Sequence, residues 1–334
     1  MAVRIELKAL DPLPELRLLA IQVAVSMNHP RVIPILEQAS KDLSPLVALE
    51  ALKKLKQFIS ESRFVSFLTR NINSPSEELR GYALNEIAKI TQKRYISNYR
   101  LLPLNIKKLA GSAILKLDST FVDHLIEELK SLDPDSRLRA ALIMENLKFG
   151  TQAQDALLMG MKDPSSKVRA AIVKTLGVLG NKALFKHLIG FFNDPDERVR
   201  ANTIEAIKHL GHEQAVQVLS PFLKDPNNRV RANAALAVWQ LGKVKILPII
   251  HSMLSMNHLM RASALWVLGV INSETNIPII LRYFKDKDDT VRLNAIKAIS
   301  KIHLETLRTL IPALRKDPNP EIRRLVEEIS YKLI

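Results

Sequence analysis

The chain repeats itself, and that limits its fold more than any other property of the sequence. An Arg preceded by an aliphatic residue, Met in one case, recurs as Arg139, Arg169, Arg200, Arg231, Arg261, Arg292 and Arg323, at steps of 30 or 31 residues. Six positions before most of these stands an Asp: Asp133, Asp163, Asp194, Asp225, Asp286 and Asp317. Pro follows it in five units and Lys287 in one; in the unit of Arg261, Ser255-Met256 replaces Asp-Pro. Eleven residues after the Arg come Gly150, Gly180, Gly211 and Gly242.

Each part has a mechanical reading. Asp at an N-cap accepts from the free N–H groups of a first helical turn, Pro at the next position has no N–H to leave unpaired, and Gly supplies a left-handed stop. "RANTIEAIKHL" and "RAAIVKTLGVL" carry apolar residues at helical spacing, and a second amphipathic segment such as "AVQVLSPFL" follows each Gly. Every unit is therefore expected to be an antiparallel helix pair. One pair cannot bury its apolar face alone, so the units must stack into an all-α solenoid. The frame is regular over 119–334. Before that, "SEELRGYALNEIAKI" keeps the Arg as Arg80, "PELRLLAIQVAV" offers Arg17, "SPLVALEALKKL" lacks an Arg, and "NIKKLAGSAILKL" fills the gap before Arg139. The expectation is about eleven helix pairs, irregular over 1–118 and continuous with the regular part as one solenoid.

This frame resembles HEAT repeats, and in particular the short bacterial HEAT-like class associated with phycobilisome lyase subunits. The resemblance implies a right-handed, HEAT/ARM-like superhelix with the second helix of each pair on its concave face. It also implies a structural ladder between successive repeats, built from Asp163 and Arg169, Asp194 and Arg200, Asp225 and Arg231, Asp286 and Arg292, and Asp317 and Arg323. The unit of Arg261 lacks the Asp, which puts its ladder step in question.

No signature of catalysis is present: there is no Gly-rich phosphate loop, no His-Glu-x-x-His, no Gly-x-Ser-x-Gly, and no Cys. The reading is a non-enzyme without cofactor or metal. His209 and His212, beside Glu213, are too few ligands for a structural metal site; His209 suits a helix C-terminus instead. The charged start and the lack of a long apolar run argue against a signal peptide and against transmembrane insertion, so a cytoplasmic location is expected. A net charge of +15 favours anionic partners without choosing among them.

Comparing equivalent positions singles out one region. The fifth residue after the Arg reads Met144, Lys174, Glu205, Leu236, Trp266, Lys297, Glu328; the eighth reads Leu147, Gly177, Lys208, Trp239, Gly269, Ser300, Tyr331. Both positions tolerate charge and share a helix face, so Leu236, Trp239 and Trp266 are expected to form an apolar patch on the inner surface, with Arg231 and Arg261 beside it. Burial of both indoles in the core is the alternative. From Asn227 to Ser273 there is no acidic residue, while Arg229, Arg231, Lys243, Lys245 and Arg261 are present. A second acid-free stretch, Ile87 to Leu117, holds Lys93, Arg94, Arg100, Lys107 and Lys108 with Tyr95 and Tyr99 among them, a composition that suits an anionic partner through phosphate contacts and base stacking. Arg137, Lys167, Arg198 and Arg229, two before the frame Arg, read as a mainly structural ridge.

These features rank the functions. The first is a scaffold or adaptor that binds another macromolecule along a concave basic surface, most readily a protein with an acidic surface or segment. The second is nucleic-acid binding, since some similar HEAT-like proteins are alkylpurine DNA glycosylases that grip duplex DNA; no catalytic carboxylate stands beside the Trp pair in repeat register. The third, a phycobilin-lyase-like subunit, is implied only by the repeat subclass. Oligomeric state is left open. At the C-terminus, "EIRRLVEEISYK" is expected either to cap the stack or to be covered by a further segment or a partner.

Overall fold

The computed structural model describes residues 9–148, 151–242 and 244–331, and these contain helices and no strand. Gly150, expected as a helix stop, and Lys243, counted in the second basic stretch, lie outside the described residues. The chain divides into two compact units, Met1–Leu125 and Ile126–Ile334.

In the first unit, α1 (Pro14–Ser26), α2 (Val32–Ala39), α3 (Pro45–Leu55) and α4 (Glu61–Asn71) form two successive helix pairs around Ile21, Leu36, Leu52, Leu55, Phe64 and Leu68. Then the regularity stops. Helix α5 (Glu77–Asn98) runs for 22 residues. Eleven positions after Arg80 it has Thr91, which cannot serve as a left-handed stop, so the helix continues. A 3-10 turn, Tyr99–Leu101, leads directly into α6 (Leu104–Leu117). The expected sequence of full pairs is therefore interrupted here. Helix α7 (Phe121–Glu128) follows, and the division between the units falls within it.

In the second unit, seven first-arm helices carry the frame: α8 (Pro134–Leu147), α10 (Ser166–Leu179), α12 (Glu197–Leu210), α14 (Asn228–Gln240), α16 (His258–Ile271), α18 (Asp289–Ile302) and α21 (Pro320–Ser330). The second arms are shorter than full helices: α9 (Gln154–Met159), α11 (Phe185–Ile189), α13 (Ala215–Leu219) and α17 (Ile277–Leu281) each pass into a 3-10 turn. α15 (Leu247–Leu254) is one continuous piece, whereas α19 (Leu304–Arg308) and α20 (Ile311–Leu314) are broken in two. The more tightly wound 3-10 turn ends those four arms on the frame Asp, whose N–H bonds three residues back, as in Asp194 to Phe191 and Asp286 to Tyr283. First arms pack closely where the eighth position is Gly. A Cβ on Gly177 would stand 2.6 Å from Ala206, and one on Gly269 2.8 Å from Ala298.

Capping departs from the sequence expectation. The frame Asp is the N-cap only at Asp133, which accepts from the N–H groups of Asp135 and Ser136. Elsewhere the N-cap lies two residues later, at Ser165, Asp196, Asn227, Asp288 and Asn319. The frame carboxylates of Asp163, Asp194, Asp225, Asp286 and Asp317 each accept from that residue's N–H, so Pro sits in the turn and not at the first helical position. The α8 unit is thus out of register by two: Ser131 holds the frame Asp position and Arg137 the frame Arg position. The helix stops show the same shift. Asn28, Lys148, Gly180, Gly211, Gly242 and Asn272 all have positive φ, between 47° and 70°, and lie eleven residues after Arg17, Arg137, Arg169, Arg200, Arg231 and Arg261. Three of these six are not Gly and were not legible as stops.

Candidate partner-binding groove

The frame Arg joins neighbouring repeats. Arg169 donates through Nε and Nη2 to both carboxylate oxygens of Asp194 at 2.8 Å, and through Nη1 to its own unit's Asp163 carbonyl. The carboxylate therefore comes from the next unit, and the Asp of the same unit offers only its backbone. The same fork joins Arg17 to Asp42, Arg137 to Asp163, Arg261 to Asp286 and Arg292 to Asp317. Arg139, taken from the sequence as the frame Arg of its unit, instead reaches Ser136 of its own helix. Arg198 bonds Asp196 and Ser166, so no uniform basic ridge forms. Arg323 holds the Asp317 carbonyl. The carboxylate of Asp317 lies below its ordinary pKa because the Arg292 guanidinium bonds it. For Asp194 and Asp286 burial pushes upward, but the bonds from Arg169 and Arg261 prevail and lower both.

In the second unit the ladder loses its carboxylate at the step of Arg231, and not where the sequence pointed. Arg261 is fully engaged with Asp286; the missing Asp affects Arg231, whose partner position is Ser255. Arg231 turns to the carbonyls of Asp225 and Lys224 and to the Met256 sulfur at 3.1 Å. The step before is loose, with Arg200 Nε 4.0 Å from Asp225. Both weak steps adjoin α14.

Beside this break an open groove of about 470 Å³ crosses the first arms α12, α14, α16 and α18. Leu236, Leu259, Ala262 and Trp266 give its apolar lining, while Asn228, Asn233, Ser263, Thr290 and Asn294 give neutral polar groups. Glu205, Lys208 and Arg229 are its charged groups. Trp266 is 38% exposed and Leu259 50%, whereas Leu236 is 7% exposed and closes the floor. Trp239 does not join them. It is half-buried and lines a separate cavity of about 670 Å³ with Val244, Ile246, Leu247, Pro248 and Ile271, where its unit meets the next. The expected three-residue patch is therefore two depressions. The groove is built on first arms, not on the second arms that the resemblance assigns to the concave face. The asparagines were missed in the sequence, although Asn233 and Asn294 stand two after their frame Arg residues, as Asn202 does outside the groove and Ser263 does between them.

The first acid-free stretch is arranged differently. Tyr95 and Tyr99 are buried, 5.5 Å apart edge to face, and the Tyr95 hydroxyl donates to the Lys107 carbonyl at 2.8 Å. Burial pushes the Tyr95 phenol well above its ordinary pKa. These rings are core and cannot stack on a base, which corrects the sequence reading. Lys107 lies over the Tyr99 ring at 4.8 Å, and Arg94 pairs with Glu61; Lys93, Arg100 and Lys108 are exposed. Among the described residues no group of three or more His, Asp or Glu could hold a metal, and no helix is long and apolar enough to cross a membrane. His212 stacks on Phe185 at 3.9 Å, and burial followed by Lys208 lowers the pKa of His209.

Stacked helix pairs joined by an Arg–Asp ladder define an α-helical repeat protein. The family model of HEAT repeats matches residues 122–201, 185–258 and 245–329, so the chain belongs to the HEAT-repeat family. No curated protein matches it. Among solved structures it is similar to the CpcE–CpcF complex of phycocyanin lyase from Nostoc sp. PCC7120, at 21% identity, over 81% of this chain and 94% of that one, with a TM-score of 0.42. It is also similar to Kap121p bound to Pho4p, at 13% identity over 97% of this chain, with a TM-score of 0.47; it spans 44% of that chain. An engineered protein matches at 15% identity over 99% of this chain and 98% of that one, with a TM-score of 0.34.

Proposed function

We propose that this HEAT-repeat protein is a non-enzymatic scaffold whose partner is another protein, held in the groove around Trp266. The observation that carries the reading is the 38% exposed Trp266 over an apolar floor, inside a groove that crosses four consecutive first arms. A large aromatic kept at the surface costs solvation and suits an interface anchor. The reading keeps the cytoplasmic location expected from the sequence. The nucleic-acid alternative loses the stacking residues of its first basic stretch, since Tyr95 and Tyr99 are buried, and keeps Trp266. The test compares the wild-type chain with Trp266→Ala as bait for a native protein partner from the source cell. Affinity should fall at least about tenfold, the usual scale of a hot-spot truncation. Equal affinity would overturn the reading.

A further inference from the structure

The hydrogen-bonding character of the groove points to what occupies it. Three carboxamides line it, and each has its nitrogen engaged within the fold: Asn228 donates to the Ser263 hydroxyl at 2.7 Å, Asn233 to the Ala201 carbonyl at 3.2 Å, and Asn294 to the Thr290 carbonyl at 2.8 Å. None of the three oxygens accepts a hydrogen bond among the described residues. Beside the donors of Lys208, Arg229 and the Trp266 indole, the groove thus offers three carboxamide acceptors, which an occupant can use only if it brings donors of its own. A phosphodiester backbone carries only acceptors, whereas an extended polypeptide carries an N–H at every residue.

Charge and shape add to this. Lys208 and Arg229 form the α12–α14 end of the groove and pair with no carboxylate among the described residues. Glu205 is the one acid in the lining. The middle, between α14 and α16, is apolar: Leu236, Leu259 and Trp266. The α18 end is neutral and polar, with Thr290 and Asn294. The volume of about 470 Å³ admits a few residues of a chain and not a whole helix across it.

Resting on the scaffold reading, we infer that the groove binds an extended, acidic segment of a partner protein. The main-chain N–H groups of the segment donate to the carboxamide oxygens of Asn228, Asn233 and Asn294. One of its apolar side chains lies on Trp266, and an Asp or Glu side chain meets Lys208 and Arg229.

The chain reports on its own groove. Trp239 and Trp266 are its two tryptophans, so Trp239→Phe leaves Trp266 as the sole indole. The probes are a library of blocked octapeptides drawn from Asp, Glu, Leu, Phe, Val and Thr, a matching library with Lys in place of the acids, and a single-stranded oligonucleotide. Acidic peptides should shift Trp266 emission to the blue, and the Lys library should bind at least about tenfold more weakly. N-methylating alternate amides of the best binder, in each of the two registers, should cost about a hundredfold in the register that faces the asparagines, since each of the three lost hydrogen bonds is worth a factor of about five. Asn294→Ala, whose only bond is within its own helix turn, should cost about threefold to tenfold and leave the fold intact. Unchanged affinity after N-methylation overturns the extended segment and leaves the scaffold standing. So does a library that never perturbs Trp266 while Trp266→Ala still loses its native partner. An oligonucleotide that shifts Trp266 and competes with the partner overturns both.

Discussion

Two stretches of this chain mix aromatic with basic residues and contain no acid, yet the fold treats them in opposite ways. In 87–117 the rings of Tyr95 and Tyr99 turn inward and pack against each other, Phe121 and Lys107. In 227–273 Trp266 remains at the surface, on a first arm whose neighbours leave a groove beside it. An acid-free run with aromatics therefore reports nothing about access to those aromatics. What decides is the position of each ring on its helix, and whether the next helix covers that position.

The comparison can be broken by truncation. Tyr95→Ala removes a buried ring, two edge-to-face partners and a hydrogen bond, and should cost about 3–5 kcal/mol of stability by chemical denaturation. Trp266→Ala should cost less, about 2 kcal/mol, because over a third of the residue is already in water. Similar losses would mean that the two stretches are not different in kind.

The ladder gives a finer contrast, since its break lies inside the second stretch. Arg292→Met leaves Asp317 buried without its partner and should cost about 2–4 kcal/mol, with hydrogen exchange accelerated around α18 and α21. Arg231→Met removes no ion pair and should cost less than about 1 kcal/mol. Ser255→Asp sets a carboxylate opposite Arg231 and should raise stability by about 0.5–1.5 kcal/mol. No gain would show that position 255 does not come within reach of Arg231.

The smallest expected effect concerns pH. Asp194, Asp286 and Asp317 have folded pKa values below their unfolded ones. Their contribution is complete above the unfolded pKa of about 4 and is lost as pH falls through the folded values. Denaturation midpoints should therefore hold from pH 7 to about 5 and decline below about 4. Ser255→Asp should steepen that decline.

Much of the fold was legible because the repeat shows itself in residues that act locally. The period, the all-helical class, the Arg and most of the Gly stops could be read directly. The register of the α8 unit could not: Arg137 and Arg139 both fit the spacing, and only the fork onto Asp163 separates them. The N-cap was misplaced because Asp followed by Pro has two uses, a cap and a ladder carboxylate in the preceding turn, and the second depends on an Arg in a different repeat. The site was legible in part. Leu236 and Trp266 stood out against the charged residues at their position, but Trp239 did not share their depression. Asn233 and Asn294 were visible as a recurrence and Asn228 was not, and the meaning of all three lay in which amide atoms the fold had already engaged.

The central claim is that a protein partner enters the groove of the second unit and not the basic stretch of the first. A photo-crosslinking residue placed at Leu259, half exposed in the groove, and in a separate chain at Lys108, exposed on α6, tests it directly. The account predicts protein adducts from position 259, abolished by Trp266→Ala, and few from position 108. Adducts from position 108 alone, or nucleic-acid adducts from position 259, would contradict it.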